Sequence, residues 1–407
     1  MTKKDISTNP FNIVVIVAAL GYFVDIYDLI LFGIVRVDSL KAIGIPADQL
    51  TGMGINLMNW QMAGMLLGGI VWGIMGDKKG RMSTLFLTIL LYSLANIANG
   101  FVQNYEQYAI LRFIAGFGLA GELGVGITLV AEVMSKKHRA WGTSLVSGVG
   151  IVGAVLAFLV AEWGWREAYW VGGVLGLALL ALRVYVHDSD LFHKVKESNV
   201  KRGNFFSLFS NKSRLIRYIS CIFIGMPVWF VIGILIVFSK EFGEALHITG
   251  PVNPGKAVMF HYIGASIGSI LTAWLSQKLA SRKKALLVSI SFLVLFTILY
   301  FMIAGTSPTV YYFMAFILGI AMGYWAVFIT VASEQFGTNI RSTVTTTVPN
   351  FVRGAVVGMT LLWAYLSIDM GIIQAAMIIG AVIFAFAIFS VFLLEETHDK
   401  DLDYLEH

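Results

Sequence analysis

The sequence has little charge and almost no cysteine. Only 13% of its 407 residues are charged, 57% are hydrophobic, and the mean hydropathy is +0.79. Soluble globular domains are roughly a quarter charged, so the composition excludes that class and indicates an integral membrane protein. The single cysteine, Cys221, excludes an internal disulfide framework and a cysteine-based metal site.

Motifs for catalysis and for nucleotide or metal binding are also missing from the sequence. It contains no P-loop, no recognisable catalytic triad and no metal-ligand cluster. We therefore expect neither an enzyme nor a bound metal or other cofactor. The net charge of +5 does not indicate a nucleic-acid partner, because the basic residues lie in short loops between apolar segments and form no continuous face.

Twelve apolar segments are each long enough to cross a bilayer, which takes about 20 residues. They lie at roughly 11–35, 53–75, 82–101, 106–134, 141–161, 166–186, 216–239, 256–280, 285–304, 309–334, 342–366 and 370–394. The sequence thus predicts an all-α membrane protein with twelve transmembrane helices. The alternating pattern of membrane β-strands is absent.

The positions of lysine and arginine predict the orientation in the membrane. If the N-terminus is cytoplasmic, 21 of the 29 basic residues lie in inner segments and 5 in outer segments. Cytoplasmic loops carry the excess of basic residues, so we expect a multi-pass protein of the cell (inner) membrane with both termini in the cytoplasm.

A repeat divides the chain in two. Glu132 and Arg139 are seven residues apart at the end of span four, and Glu334 and Arg341 have the same spacing at the end of span ten, 202 residues later. This predicts two pseudo-symmetric six-helix bundles, 1–186 and 216–394, joined by a cytoplasmic linker, 187–215. Residues 395–407 would form a cytoplasmic tail that ends in a tag remnant. Duplicated halves predict a binding site between them at mid-depth.

Three stretches resemble the major facilitator superfamily. "GIMGDKKGRMSTL" (73–85) resembles its loop signature G-x-x-x-D-x-x-G-R through Asp77 and Arg81. "LRFIAGFGLAGELGVGITLVAE" in span four resembles its sugar-porter, organic-ion and phosphate or metabolite:proton symporter branches. "GYFVDIYDLILFG" (21–33) is similar to the D-x-Y-D run of the phosphate:proton symporters. The second-half counterpart of the loop, "SQKLASRKK", lacks the Asp and the Gly.

The resemblance implies alternating access, in which two helix bundles rock about a central site. It also implies inner ion-pair networks that hold the outward-open state, formed by Asp77, Arg81, Glu132, Arg139, Glu334 and Arg341. We expect a monomer embedded in the lipid bilayer.

Three acidic residues inside the spans are candidates for proton coupling. Asp25 and Asp28 are three residues apart and share one helix face. Since charges at the bilayer centre are costly, one of them is suited to take up and release a proton, with Asp28 the first choice and Asp25 the second. The alternative is a structural pair with an arginine. Glu122, in "GLAGELGVG" of span four, matches a family position linked with proton coupling.

Two arginines lie at membrane depth. Arg112 is about ten residues, or roughly 15 Å, outward of Glu122, where it meets Asp28 more easily than Glu122. We interpret it as a partner of an acid in span one or four, the alternative being an arginine that snorkels to the outer interface. Arg353, central in span eleven, has no acid at mid-depth in its own half. Its expected partner is an anionic substrate, or Asp25, Asp28 or Glu122 across the cavity.

Other candidates for the substrate site are polar or aromatic residues, which the sequence cannot separate from ordinary packing residues. They are Asn350, Tyr324, Trp325, Trp229, Tyr27 and His261. Together, these features predict a proton-coupled symporter that imports a small anionic solute of carboxylate or phosphate type. The alternatives are a proton-coupled exporter of metabolites or drugs and a non-transporting solute sensor of the same fold.

Overall fold

The computed structural model describes residues 13–134, 139–182, 203–400 and 404–406, and helices make up most of them. Residues 187–202 of the predicted linker lie outside this part. In the first half, spans one to three are single helices, spans four and five are each two helices in succession, and span six is one helix. Their bounds are Ile13–Ala42, Leu50–Lys79, Arg81–Asn99, Tyr105–Leu119 with Glu122–Val133, Arg139–Ile151 with Gly153–Ala161, and Trp165–Leu182.

The second half repeats this order. Span seven continues into a π-helical segment and a short helix, and span ten is again two helices in succession. The bounds are Lys212–Phe230, Val231–Ile236, Ser239–Ala245, Pro254–Lys278, Arg282–Phe301, Pro308–Met322 and Trp325–Glu334. Spans eleven and twelve form one run, Arg341–Leu393, which turns at Gly371 with φ 79° and ψ 160°. Only glycine adopts this conformation easily, so Gly371 marks the turn between two spans. The predicted twelve-span all-α fold is confirmed.

The outer surface of the helices is apolar. Large side chains such as Leu94, Phe313 and Phe386 are about half exposed or more, and ten of the helical stretches are long and apolar enough to cross a membrane. In water such a surface would aggregate, whereas in a bilayer it meets lipid tails. The chain is therefore a multi-pass membrane protein. We call the end that carries Asp77 and Arg341 the inner end and the opposite end the outer end.

The same close helix packing occurs in both halves. A Cβ on Gly64 would lie 2.1 Å from the Phe113 carbonyl oxygen, and one on Gly116 would lie 2.1 Å from the Gln61 carbonyl oxygen, so spans two and four touch through their backbones. Gly264 and Gly319 bring spans eight and ten equally close, with values of 2.0 and 1.9 Å. Small residues at these crossings allow the contact, and the spacing of about 200 residues between the two pairs follows the sequence repeat.

The described part of the C-terminal tail lies against the inner end of the second half. Glu396 accepts hydrogen bonds from the backbone N–H groups of Arg282 (2.8 Å) and Lys283 (3.3 Å), at the start of span nine. Tyr404 donates from its hydroxyl to the Glu334 carbonyl (3.1 Å), and Glu406 pairs with Arg217 at 3.2 Å. Residue 406, which we predicted to belong to a tag remnant, thus makes specific contacts.

Candidate functional site

Asp25 of span one and Arg353 of span eleven meet between the two halves. Arg353 Nη2 is 3.8 Å from Asp25 Oδ2, and both side chains are buried. Arg353 Nη1 also donates to Asn350 Oδ1 at 3.2 Å, while Arg353 Nε has no hydrogen-bond partner among the described residues. Arg353, which we predicted to lack an acid in its own half, therefore pairs with an acid across the interface. Its Nε remains available to donate a further hydrogen bond.

Aromatic side chains surround Arg353. Its Cζ is 5.8 Å from the ring centroid of Trp229 and 5.9 Å from that of Trp325. A small cavity touches the arginine and is lined by Tyr22, Ile26, Val228, Trp229, Ile232, Tyr262, Met322, Trp325 and Arg353. Its free volume is about 10 Å³, enough for about one water molecule. The cavity thus combines aromatic and aliphatic walls with one buried cation.

A second acid–arginine pair lies inside the first half. The charges that act on Asp28 are those of Asp25 and Arg112, and the Asn96 amide lies next to Asp28. All three of Asp28, Arg112 and Asn96 are fully buried, and none has a side-chain hydrogen bond of normal geometry to the described residues. Arg112 instead faces the rings of Phe32 and Tyr169, with Cζ 5.3 and 5.6 Å from their centroids. Three buried polar side chains thus lie together inside the first half without such bonds, an arrangement that is uncommon in proteins.

The remaining predicted substrate residues do not line the cavity beside Arg353. The Tyr27 hydroxyl donates to the Ala168 carbonyl (2.8 Å) and the Tyr324 hydroxyl to the Ile224 carbonyl (3.0 Å). His261 Nδ1 donates to the Ala315 carbonyl (3.0 Å), and its Nε2 faces the sulfur of Met322 at 3.1 Å. These three side chains are buried packing and hydrogen-bonding residues in this conformation.

Asn350, next to Arg353, bonds to span four close to Glu122. Asn350 Nδ2 donates to the Ala120 carbonyl at 2.7 Å, across the interface between the halves. Span four is broken between its two helices, after Leu119. Glu122 starts the second, inner helix directly after this break and is only 2% exposed. It does not line the cavity beside Arg353. The break therefore places the carbonyl that accepts the bridging hydrogen bond two residues before a buried carboxyl.

The prediction did not include Tyr22, Tyr262 and Met322, which line the cavity. For Tyr22 a signal was available, because it precedes Asp25 by three residues and so shares its helix face. Tyr262 follows His261 directly, and nothing in the local sequence indicates which of the two side chains faces the cavity.

The inner end is closed by Asp77. Its carboxylate accepts hydrogen bonds from the backbone N–H groups of Ser342 (3.1 Å) and Thr343 (2.7 Å) and from the Thr343 hydroxyl (2.6 Å). Arg81 Nη2 lies 3.4 Å from the same carboxylate. Span eleven begins at Arg341, so Asp77 of the first half sits at the N-terminus of a helix of the second half, where a negative charge is stabilised.

Two other members of the predicted inner network, Glu334 and Arg341, make further contacts at this end. Glu334 pairs with Arg282 (Nε to Oε2, 3.4 Å), which was not predicted, and accepts a hydrogen bond from the Thr397 hydroxyl at 2.8 Å. Arg341 Nε donates to the Ser333 carbonyl at 3.2 Å. The side chains of Glu132 and Arg139 lie outside the described residues.

The outer end is closed as well. Arg36 Nη2 of span one is 2.8 Å from Glu241 Oε1, in the short helix after span seven, and the Thr51 hydroxyl donates to the same oxygen at 3.1 Å. The Thr360 hydroxyl donates to Asn59 Oδ1 at 3.0 Å between spans eleven and two. Contacts at both ends and a cavity with room for one water define an occluded conformation. The inner network was expected to hold an outward-open state, and here it coexists with a closed outer end.

Comparisons with known proteins agree with this architecture. The family model described as Major Facilitator Superfamily matches residues 18–354. A probable 4-methylmuconolactone transporter of Cupriavidus pinatubonensis is 30% identical over 342 residues, which cover 81% of this chain and 79% of that protein. A benzoate transport protein of Acinetobacter baylyi is 27% identical, over 67% and 66% of the two chains.

A solved structure shows the same fold. The proton:xylose symporter XylE, bound to 6-bromo-6-deoxy-D-glucose, superposes with a TM-score of 0.73 at 16% identity, over 96% of this chain and 97% of the other. At this identity the likeness concerns the fold alone. The family model covers most of the chain, and the transporter from Cupriavidus pinatubonensis matches it over four fifths of its length. The chain belongs to the major facilitator superfamily and is a solute transporter, not an enzyme.

Proposed function

We propose that this protein is a proton-coupled symporter that imports a small organic acid whose carboxylate binds Arg353. The observation that carries the proposal is the position of Arg353 in an otherwise aromatic and apolar cavity between the halves, with Asp25 at 3.8 Å. A guanidinium binds a carboxylate through two parallel hydrogen bonds. One relative is named for benzoate, an aromatic carboxylate of this kind.

The cavity walls favour a carboxylate with a ring over inorganic phosphate. Phosphate needs hydrogen-bond donors on every side, and the aliphatic wall of Ile26, Val228 and Ile232 offers none, so burial there would leave some of its oxygens unsatisfied. A flat ring gains from the same walls, because aromatic side chains bury large areas and stack on rings. In our proposal the halves move apart to widen this cavity, the substrate ring then lies between Trp229, Trp325 and Tyr262, and its carboxylate binds Arg353.

The distance between Asp25 and Arg353 suggests how protons are coupled to the substrate. Strong pairs of this type have N to O distances of about 2.7–2.9 Å, and this one is 3.8 Å. When Asp25 takes up a proton, its hold on Arg353 weakens and a substrate carboxylate can replace it. Proton and anion then enter together and leave the net charge of the site unchanged. A substrate can drive alternating access only if its affinity differs between the conformations, and in this proposal the exchange on Arg353 supplies that difference.

Asp28 is the second proton site in this proposal. It lies about one helical turn from Asp25, and the arginine whose charge acts on it is Arg112, not Arg353. Because Asp25 and Asp28 interact, protonation of one changes the affinity of the other, and the pair titrates as a unit. Glu122, buried at the break of span four, is a further candidate in the same half.

Ligand-induced thermal stabilisation of the purified protein tests the substrate class. The ligands are benzoate, its neutral isostere benzamide, inorganic phosphate and glucose. At 100 times its Kd a ligand stabilises the folded protein by about 2.7 kcal/mol. Benzoate should raise the Tm and benzamide should not. Arg353→Gln should abolish the benzoate shift, whereas Lys41→Gln, an exposed position at the outer end of span one, should keep it. A shift with glucose or benzamide alone would exclude the anion site.

Transport by proteoliposomes tests coupling and direction. An inward proton gradient should drive benzoate into the vesicles, with proton uptake that depends on benzoate. Proton movement opposite to that of benzoate would identify an exporter. Saturable stabilisation by benzoate without any flux would identify a sensor.

A further inference from the structure

A second concave surface lies on the second half, away from the cavity beside Arg353. It is a groove with a free volume of about 260 Å³, and its lining includes Leu271 and Trp274 of span eight, Phe292 and Phe296 of span nine, and Ile320 of span ten. Trp274 and Phe292 are about half exposed. The polar groups in the groove include the hydroxyls of Thr272 and Ser289, 3.5 Å apart. The groove therefore faces the hydrocarbon of the membrane.

The groove runs inward from one membrane interface. Trp274 precedes Lys278, the last residue of span eight, by four residues, which corresponds to about 6 Å along a helix. Ile320 precedes Glu334, the inner end of span ten, by 14 residues, or about 21 Å. The hydrocarbon core is about 30 Å thick, so the groove extends from the inner interface past the middle of the bilayer. A free volume of about 260 Å³ spread over this length is narrow, which favours a single extended chain over a helix of about 10 Å diameter.

Lys278 lies at the inner end of the groove. Lys278 Nζ is 4.8 Å from the ring centroid of Trp274, the side chain is exposed, and no acidic partner occurs among the described residues. Two of its basic neighbours, Arg282 and Lys283, are engaged elsewhere. Arg282 pairs with Glu334, and Lys283 Nζ donates to the carbonyls of Phe392 and Leu394 at the end of span twelve. Lys278 is therefore free to bind an anion at the depth of the lipid phosphates.

From this geometry we infer a binding site for an anionic phospholipid of the inner leaflet. One acyl chain lies in the groove between spans eight, nine and ten, and the phosphate binds the ammonium group of Lys278. An empty groove would lose dispersion contacts along its whole wall, and an acyl chain restores them. Basic residues beside grooves between transmembrane helices attract anionic headgroups. The site lies within the second half, so it is independent of the proposed substrate.

Native mass spectrometry of the delipidated protein in detergent tests the site. The two probes are phosphatidylglycerol and phosphatidylcholine with identical acyl chains. One lysine near an anionic headgroup is worth about a five-fold change in affinity, so phosphatidylglycerol should bind about five-fold tighter. Lys278→Gln should remove this preference. Lys212→Gln, an exposed lysine at the inner end of span seven that does not line the groove, should keep it.

A groove-filling variant tests the acyl-chain part. Ser289→Phe should weaken the binding of both lipids. Lys278→Gln alters an exposed side chain and tests the headgroup on its own if Ser289→Phe does not fold. Equal binding of the two lipids by the parent protein, or an unchanged preference in Lys278→Gln, would overturn the proposal. Dimers that dissociate when Ser289→Phe is introduced would instead assign the groove to a second copy of the chain. Benzoate stabilisation should be the same in all these variants.

Discussion

Arg353 in span eleven lies 3.8 Å from Asp25 in span one, and the two residues are 328 positions apart in the chain. Each is a buried charge at membrane depth, which would be costly alone. Together they place an ion pair on the interface between the halves, beside the cavity where we propose that substrate binds. A proton on Asp25 or an anion on Arg353 changes the same contact.

Replacement of Asp25 should separate substrate binding from proton coupling. Asp25→Asn keeps the shape of the side chain but removes its charge, so a substrate carboxylate no longer competes for Arg353. We expect benzoate binding to be kept or strengthened, while proton-driven accumulation in proteoliposomes is lost. Asp38→Asn, at an exposed position near the outer end of span one, is the matched control and should transport normally. Normal proton-driven accumulation by Asp25→Asn would show that Asp25 is not a proton site.

Loss of the outer ion pair should open the outer end. Arg36 is buried and Glu241 is largely so, with 2.8 Å between them, and Glu241→Gln leaves Arg36 without its charge partner. We expect the maleimide labelling rate of a reporter, Val237→Cys in a Cys221→Ser background, to rise about ten-fold, which corresponds to about 1.4 kcal/mol. The charge swap Arg36→Glu with Glu241→Arg should lower the rate again. A labelling rate unchanged by Glu241→Gln would mean that apolar contacts alone hold this end closed.

The inner end should depend on the charge of Asp77. Its carboxylate receives three hydrogen bonds from Ser342 and Thr343, and hydrogen bonds to charged groups contribute about 1.5–3 kcal/mol. Asp77→Asn should speed amide hydrogen exchange in the first turns of span eleven, residues 341–347. Asp369→Asn, exposed near the outer end of span eleven, should leave that exchange unchanged. If exchange at 341–347 stays slow in Asp77→Asn, the hydrogen bonds to span eleven do not limit opening.

Glu396, which binds the backbone N–H groups at the start of span nine, should make the free energy of unfolding depend on pH. Partial burial opposes the charge of Glu396, but hydrogen bonds from the Ser281 hydroxyl and from the backbone N–H groups of Arg282, His398 and Lys283 outweigh it, so the pKa of Glu396 is lowered. A lowered folded-state pKa contributes stability above the ordinary value of 4.5, and this stability is lost as the pH falls through the folded-state pKa.

Glu396→Gln is the variant that isolates this effect. It should cost about 1 kcal/mol at pH 7, as for other helix caps, and its Tm should approach that of the parent below pH 4. Glu395→Gln, next to it but mostly exposed, should follow the parent at every pH. A constant difference between Glu396→Gln and the parent from pH 7 to pH 3.5 would contradict the assignment of the pH dependence to Glu396.

Much of the architecture follows from the sequence because the bilayer imposes it. Apolar segments of about 20 residues must be helical, since backbone groups in hydrocarbon find no other hydrogen-bond partners. The twelve spans, the repeat and the presence of Asp25, Asp28, Arg112 and Arg353 at membrane depth could therefore be predicted. That Arg353 needs a partner outside its own half also followed from the lack of acids there.

The choice of partners was decided by the tertiary structure. Arg353 could have met Asp25, Asp28 or Glu122, and a rotation of span one by about 60° separates the directions of the first two. Helix rotation is set by packing over the whole interface, such as the backbone contacts at Gly64 and Gly116, and no local pattern encodes it.

The same reason explains why some residues that line the cavity were not predicted. Tyr27 and Tyr324 are residue types that often line binding sites, but their hydroxyls donate to backbone carbonyls outside the cavity. Tyr22, Tyr262 and Met322 line the cavity instead. The sequence alone determined which residues lie in the membrane and at what depth, because hydrophobic length and charge decide this. Only the tertiary structure decided which of them face one another, because that depends on the rotation and contact of helices distant in the chain.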